Sequence, residues 1–197
     1  MSDSVLAIEG VAKSFGANQV LANVGFSISK GEIVGLLGPN GCGKSTLLNL
    51  ISGVFPADAG ILAFQGENMT GQSMDQIARR GLVRTFQLPS MPRRMTVAEL
   101  LHGAAARGAG FGSLFRRDAS EMAEIDGLLD ELALSHVRHL PAASLSGGQK
   151  KLLSIALALR ASPRMICLDE PTAGVHPNLR HLMVGLLRRI NASGITL

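Results

Sequence analysis

The stretch from Ile33 to Val54 constrains this chain more than any other. Ile33-Val34-Gly35-Leu36-Leu37 is an apolar run with glycines near both ends, the pattern of a strand buried on both faces. Gly38-Pro39-Asn40-Gly41-Cys42-Gly43-Lys44-Ser45 follows and fits G-x-x-x-x-G-K-[ST] at every fixed position. Leu47, Leu50, Ile51 and Val54 then recur at helical spacing. Strand, glycine loop and helix in that order predict the first βα unit of a parallel α/β sheet. The glycines let successive backbone N–H groups turn toward phosphate oxygens at the positive end of the helix dipole. Lys44 would set a compact charge on the β- and γ-phosphates, and Ser45 would offer a hydroxyl to Mg²⁺. The loop through Thr46 is therefore the expected cradle of a nucleoside triphosphate.

Two later stretches supply what such a loop needs. Met165-Ile166-Cys167-Leu168 reads as a buried strand, and Asp169-Glu170 emerge at its C-terminal end, where α/β sheets hold ligands. Asp169 is the expected metal holder, through a water, and Glu170 the expected general base that polarises an attacking water. Leu145-Ser146-Gly147-Gly148-Gln149 opens another helix. Ser146 can cap it, and Gly147 and Gly148 leave backbone amides exposed there as a second anion site.

The rest of the chain reads as follows. Short strands at Val5–Ile8 and Phe26–Ser29 are punctuated by turns at Gly16, Gly25 and Lys30-Gly31, and further strands are expected over 60–65 and 82–87. From Thr96 to Leu140 the pattern turns helical, with Met122, Ile125, Leu129 and Leu132 on one face and a small-residue loop over 103–112, as in an inserted lobe. Helices are expected over 147–161, with Leu152, Ile155, Ala156 and Leu159 facing the core, and over 179–190. Ile195-Thr196-Leu197 begins a further strand.

Composition narrows the classes. The net charge is +4, yet there is no Trp or Tyr, and the arginines come as scattered pairs at 79-80, 93-94, 116-117 and 188-189. A nucleic-acid binder concentrates its cations in a stripe with aromatics for stacking, so no nucleic-acid partner is expected. Cys42 and Cys167 form neither a disulfide framework nor a metal-ligand spacing, which suits a reducing cytosol. The longest unbroken apolar run, Ile155–Leu159, falls far short of the ~18 residues a membrane span requires.

The three motifs together resemble the nucleotide-binding subunit of an ATP-binding-cassette (ABC) transporter, over nearly the whole chain. The resemblance implies a P-loop NTPase (RecA-like) α/β core, an N-terminal antiparallel β-subdomain and an inserted α-helical subdomain. The boundaries expected are 1–87 with 162–197 for the first two and 88–161 for the helical subdomain. It implies ATP and Mg²⁺ as ligands, hydrolysis in a dimer of two such subunits, and docking of transmembrane permease subunits on the cytoplasmic face of the inner membrane. Ser146, Gly147, Gly148 and Gln149 of one subunit would contact the γ-phosphate of ATP held by the other. Gln87, in Thr85-Phe86-Gln87, matches the glutamine that touches Mg²⁺, and Phe15 the aromatic that stacks on adenine. Ala173-Gly174-Val175-His176-Pro177 matches the loop crossing the dimer interface. Arg80–Gln87 followed by Met95-Thr96-Val97 is similar to importers of branched-chain amino acids and their urea or amide relatives, with residues 88–94 as part of the permease dock. The family's switch histidine follows a strand that this sequence enters only at Ile195. His102, His136, His139, His176 and His181 all come too early for it, so the sequence reads as C-terminally truncated and slow to hydrolyse. The rivals are a soluble, non-transport ABC ATPase and a fragment that binds ATP without turning it over.

Overall fold

The computed structural model describes residues 4–86, 90–105 and 119–197. The chain divides into two compact units: residues 1–84, 164–169 and 190–197 in the first, and residues 85–163 and 170–189 in the second.

The first unit opens with two long strands, β1 (Ser4–Phe15) and β2 (Asn18–Ser29), joined by a tight turn at Gly16. They pair antiparallel, and β3 (Ala59–Phe64) with the short β4 (Glu67–Asn68) extends the sheet in the order β2-β1-β3-β4. The antiparallel N-terminal sheet expected from the resemblance is thus present. Gly25, expected to mark a turn, lies inside β2 instead, at a bulge where Glu9 and Gly10 of β1 stand against it between the Ile8–Phe26 and Val11–Val24 pairs. Helix α1 (Lys44–Ile51) buries Leu47, Leu50 and Ile51. Val54 is not on it: the helix stops at Ser52, whose hydroxyl bonds back to Leu48 O at 2.7 Å, and Val54 is exposed. Helix α2 (Met74–Arg79), which carries too short a pattern to be anticipated, is closed by a capping box of Ser73 and Gln76. Strand β5 (Leu82–Thr85) pairs with β6 (Met165–Leu168). Leu6, Ile8, Leu50, Phe64, Ile77 and Cys167 belong to one continuous core.

The apolar run Ile33–Leu37 departs from expectation. It forms no strand, and Leu37 is 90% exposed where burial on both faces was predicted. Its neighbour in the ladder is Leu197, which donates to Glu32 O and accepts from Val34 N–H, both at 2.9 Å.

In the second unit α3 (Val97–Ala105) packs on α4 (Ala119–Glu131) and on α5 (Gly147–Arg160). Gly103, the expected start of a loop, lies inside α3, which runs through Ala105, and residues 106–112 lie outside the described residues. Ile125, Leu129, Leu152, Leu153 and Ile155 are fully or almost fully buried, as their spacing requires. The buried Arg160 joins the three helices by reaching Glu121 and Glu124 on α4 and the Leu101 carbonyl on α3. Helix α6 (Pro177–Ala192) buries Met183, Leu186 and Ile190. No helix among the described residues is long and apolar enough to cross a membrane.

Candidate functional site

In the first unit, the glycine loop leads into α1 through Gly43, which sits at the N-cap in a left-handed conformation (φ 97°). A Cβ there would lie 2.8 Å from Leu21 Cδ2 and 3.2 Å from the Val20 carbonyl, so glycine is required for the close approach to β2. No side chain caps α1, and no acidic residue stands in its first turn. Its first N–H groups are therefore left to an external acceptor. Lys44 folds across the loop and donates to the carbonyls of Gly38 (2.7 Å) and Pro39 (2.8 Å). Its three-donor ammonium is thus held over the loop, where a phosphate would meet it. Ser45 and Cys42 are exposed. Phe15 is half exposed and meets Phe55 edge-on at 5.5 Å, with the Lys13 ammonium 5.6 Å from the Phe15 centroid. Such a supported, partly open ring can accept a flat base on its free side.

Asp169 follows β6 directly with its side chain 14% exposed, and the buried guanidinium of Arg84 holds Oδ2 at 2.9 Å. The same guanidinium bonds Asn49 on α1 and Ser52 just past it. Arg84 thus fixes the aspartate to the helix that follows the glycine loop. The sequence singled out Arg84 only as one letter of a longer run; a lone arginine in an otherwise apolar strand was the available signal. Burial pushes the neighbouring Cys167 thiol up to about 12, against the weaker opposing pull of Arg84.

Within the second unit, Ser146 and Gln149 form a reciprocal capping box at the start of α5. The Gln149 N–H donates to Ser146 Oγ at 3.3 Å, and Gln149 Oε1 accepts from the Ser146 N–H at 3.0 Å. Ser146 and Gly147 are exposed, and the serine keeps its own O–H as a donor. A Cβ on Gly148 would lie 3.0 Å from Leu179 Cδ1, so the helix start sits tightly against α6. Glu170 is exposed and has a left-handed backbone (φ 46°). Lys151, one turn into α5, donates to the carbonyls of Glu170 (2.8 Å) and Ala173 (2.6 Å), a contact not foreseen in the sequence. Gln87, Leu88 and Pro89 lie outside the described residues. Of the arginine pairs, Arg79 meets Asp75, Arg80 meets Glu67, and Arg189 meets Glu131.

Residues 21–173 match the sequence family described as ABC transporter. The chain belongs to the ABC transporter family. This ABC subunit is 40% identical over 199 residues to the "Probable branched-chain amino acid transport ATP-binding protein LivG" of Methanocaldococcus jannaschii, covering 98% of the chain and 77% of the relative. It is 37% identical over 174 residues to the "Lipopolysaccharide export system ATP-binding protein LptB" of Haemophilus influenzae, covering 88% of the chain and 70% of the relative. A solved ATP-binding cassette of an ABC transporter superposes with a TM-score of 0.83 at 37% identity, over 98% of this chain and 79% of that one. The antiparallel sheet, the glycine loop with α1 and the helical unit are those of an ABC ATPase, and the chain is an ATP-binding subunit of that family.

Proposed function

We propose that this subunit binds MgATP on Gly38–Thr46 and hydrolyses it in a dimer to drive uptake of a branched-chain amino acid or a similar small polar solute through permease subunits. The observation that carries the reading is the uncapped start of α1 with Lys44 held over the loop, an anion site assembled from backbone and one cation. Phe15 is the adenine platform, and Pro39, Asn40, Gly41 and Cys42 line the phosphate turn. The relatives named for branched-chain amino acid transport favour import over the export systems that also match.

Ser45 and Asp169 offer only hard oxygen donors, and no group of three or more His, Cys, Asp or Glu among the described residues could hold a metal. Such a sparse oxygen set suits Mg²⁺ that arrives on the nucleotide and keeps phosphate oxygens and waters in its shell. Ser45, Asp169 and Gln87 would hold it, and its charge would offset that developing on the transferred phosphoryl group. Glu170 takes the proton of the attacking water, Lys44 stabilises the phosphate oxygens, and the Ser146 hydroxyl donates to the γ-phosphate bound by the second subunit. Residues 88–94 and the helical unit receive the permease, which puts the subunit on the cytoplasmic face of the membrane.

Replacing Glu170 by Gln tests this directly. The variant should bind ATP as the parent does, lose at least about a hundredfold in turnover and accumulate as an ATP-bound dimer. Wild-type turnover in that variant would remove Glu170 from the chemistry. Uptake of labelled leucine by vesicles holding the subunit and its permease, without export of lipid-linked sugars, tests the direction.

A further inference from the structure

Glu170 has an unusual backbone for its residue type. Glutamate, unlike asparagine or aspartate, has no short polar side chain to ease a left-handed conformation, so its backbone is strained there. Pro171 follows, so the right-handed helical region is disfavoured as well and the relaxed alternative is extended. An extended Glu170 would point its carboxylate elsewhere. Strain of this kind persists only where the surroundings fix it.

Lys151 supplies that restraint. Its ammonium bridges the carbonyls at the two ends of the turn, Glu170 and Ala173, while the Ala173 N–H closes the turn on the Glu170 carbonyl at 3.2 Å. Both lone pairs of the Glu170 carbonyl are thus engaged, one by a charged donor. The turn is also held from below, since Val175 is buried and lies within 3.7 Å of where a Cβ on Gly148 would stand. The helix that presents Ser146 and the turn that presents Glu170 are therefore pinned together at two points.

We infer that Lys151 is a positioning residue: it holds the Glu170 turn in its strained form and ties it to the start of α5. This rests on the assignment of Glu170 as the base, so the test has two separate readouts. The first is hydrogen exchange in the whole chain, which needs no turnover. Lys151→Met should speed exchange across residues 172–175 by about tenfold or more and leave residues 152–160 unchanged, while Lys151→Arg should stay near the parent. The second is kinetics: Lys151→Met should lower kcat by about tenfold with KM for ATP within about twofold, and Lys151→Arg should restore most of it. Unchanged exchange over 172–175 overturns the clamp. Faster exchange with an unaltered kcat, in an enzyme that Glu170→Gln silences, overturns the positioning role. Should Glu170→Gln turn over normally, the assignment of the base fails, and the exchange result alone still upholds or overturns the clamp.

Discussion

The starts of α1 and α5 are both glycine-rich, yet they meet the same electrostatic requirement in opposite ways. At α1 the cap is Gly43, no side chain accepts from the first turn, that turn holds no acidic residue, and the Lys44 ammonium lies over the loop. At α5, Ser146 and Gln149 satisfy each other's backbone groups within the chain. An uncapped helix start with a cation beside it is destabilised until an anion arrives, so binding is where that first turn gains its stability. A self-capped start is already stable and contributes one exposed hydroxyl. The same contrast holds for the two adjacent carboxylates. Asp169 is tied by Arg84 to the end of α1, whereas the Glu170 carbonyl is tied by Lys151 to α5.

Losing the cation at α1 should have the largest effect. Lys44→Met should weaken ATP binding about a hundredfold, the loss of two charge-assisted contacts to phosphate, with little change in thermal stability. Titration with a fluorescent ATP analogue measures it. Affinity within a few-fold of the parent would mean the backbone amides alone carry binding, and the contrast with α5 would lose its basis.

Next comes the backbone at the same cap. Gly43→Ala sets a Cβ 2.8 Å from Leu21 in a left-handed conformation, and should cost about 2–3 kcal/mol in urea unfolding. A loss under about 0.5 kcal/mol would show that β2 yields easily and that the cap is not preorganised.

Much of this contrast was legible in the letters. G-x-x-x-x-G-K-S announces an anion cradle because glycine and lysine have few other reasons for that spacing. Ser146 before a helical stripe announces an N-cap, but that Gln149 answers it and closes a box became visible only in the structure. The stripes of α4, α5 and α6 foretold their buried faces because helical burial is periodic. Ile33–Leu37 misled, since the residues of a buried strand say nothing of whether a partner strand is there to cover them. Arg84 and Lys151 were passed over because their roles come from contacts with residues far away in sequence, and a basic residue in a list of letters looks like any solvated one.

A smaller effect is expected at the α5 cap. Ser146→Ala should cost about 1 kcal/mol of stability, and Ser146→Gly only a few tenths, because glycine is itself a tolerable cap. Both variants lose the hydroxyl, so both should slow dimer turnover alike. If turnover instead follows stability across the pair, Ser146 acts only as a cap and not on the second subunit's nucleotide.

The smallest perturbation uses the two cysteines as reporters. Cys42 is exposed beside Lys44, whereas Cys167 is buried in β6 with its thiol pushed up to about 12 by that burial. Alkylation at pH 8 should therefore label Cys42 alone, and ATP should protect it if the nucleotide fills the α1 site rather than the α5 site. Cys167 has a raised folded pKa, so the fold favours its neutral thiol. Its contribution to stability is complete below 9.0, the ordinary value, and is lost as pH rises from there toward about 12. Stability measured against pH should fall more steeply above pH 9 in the parent than in Cys167→Ala, with the two curves parallel near neutrality. Labelling of Cys42 that ATP leaves unchanged would place the nucleotide elsewhere and break the division between the open helix start and the closed one.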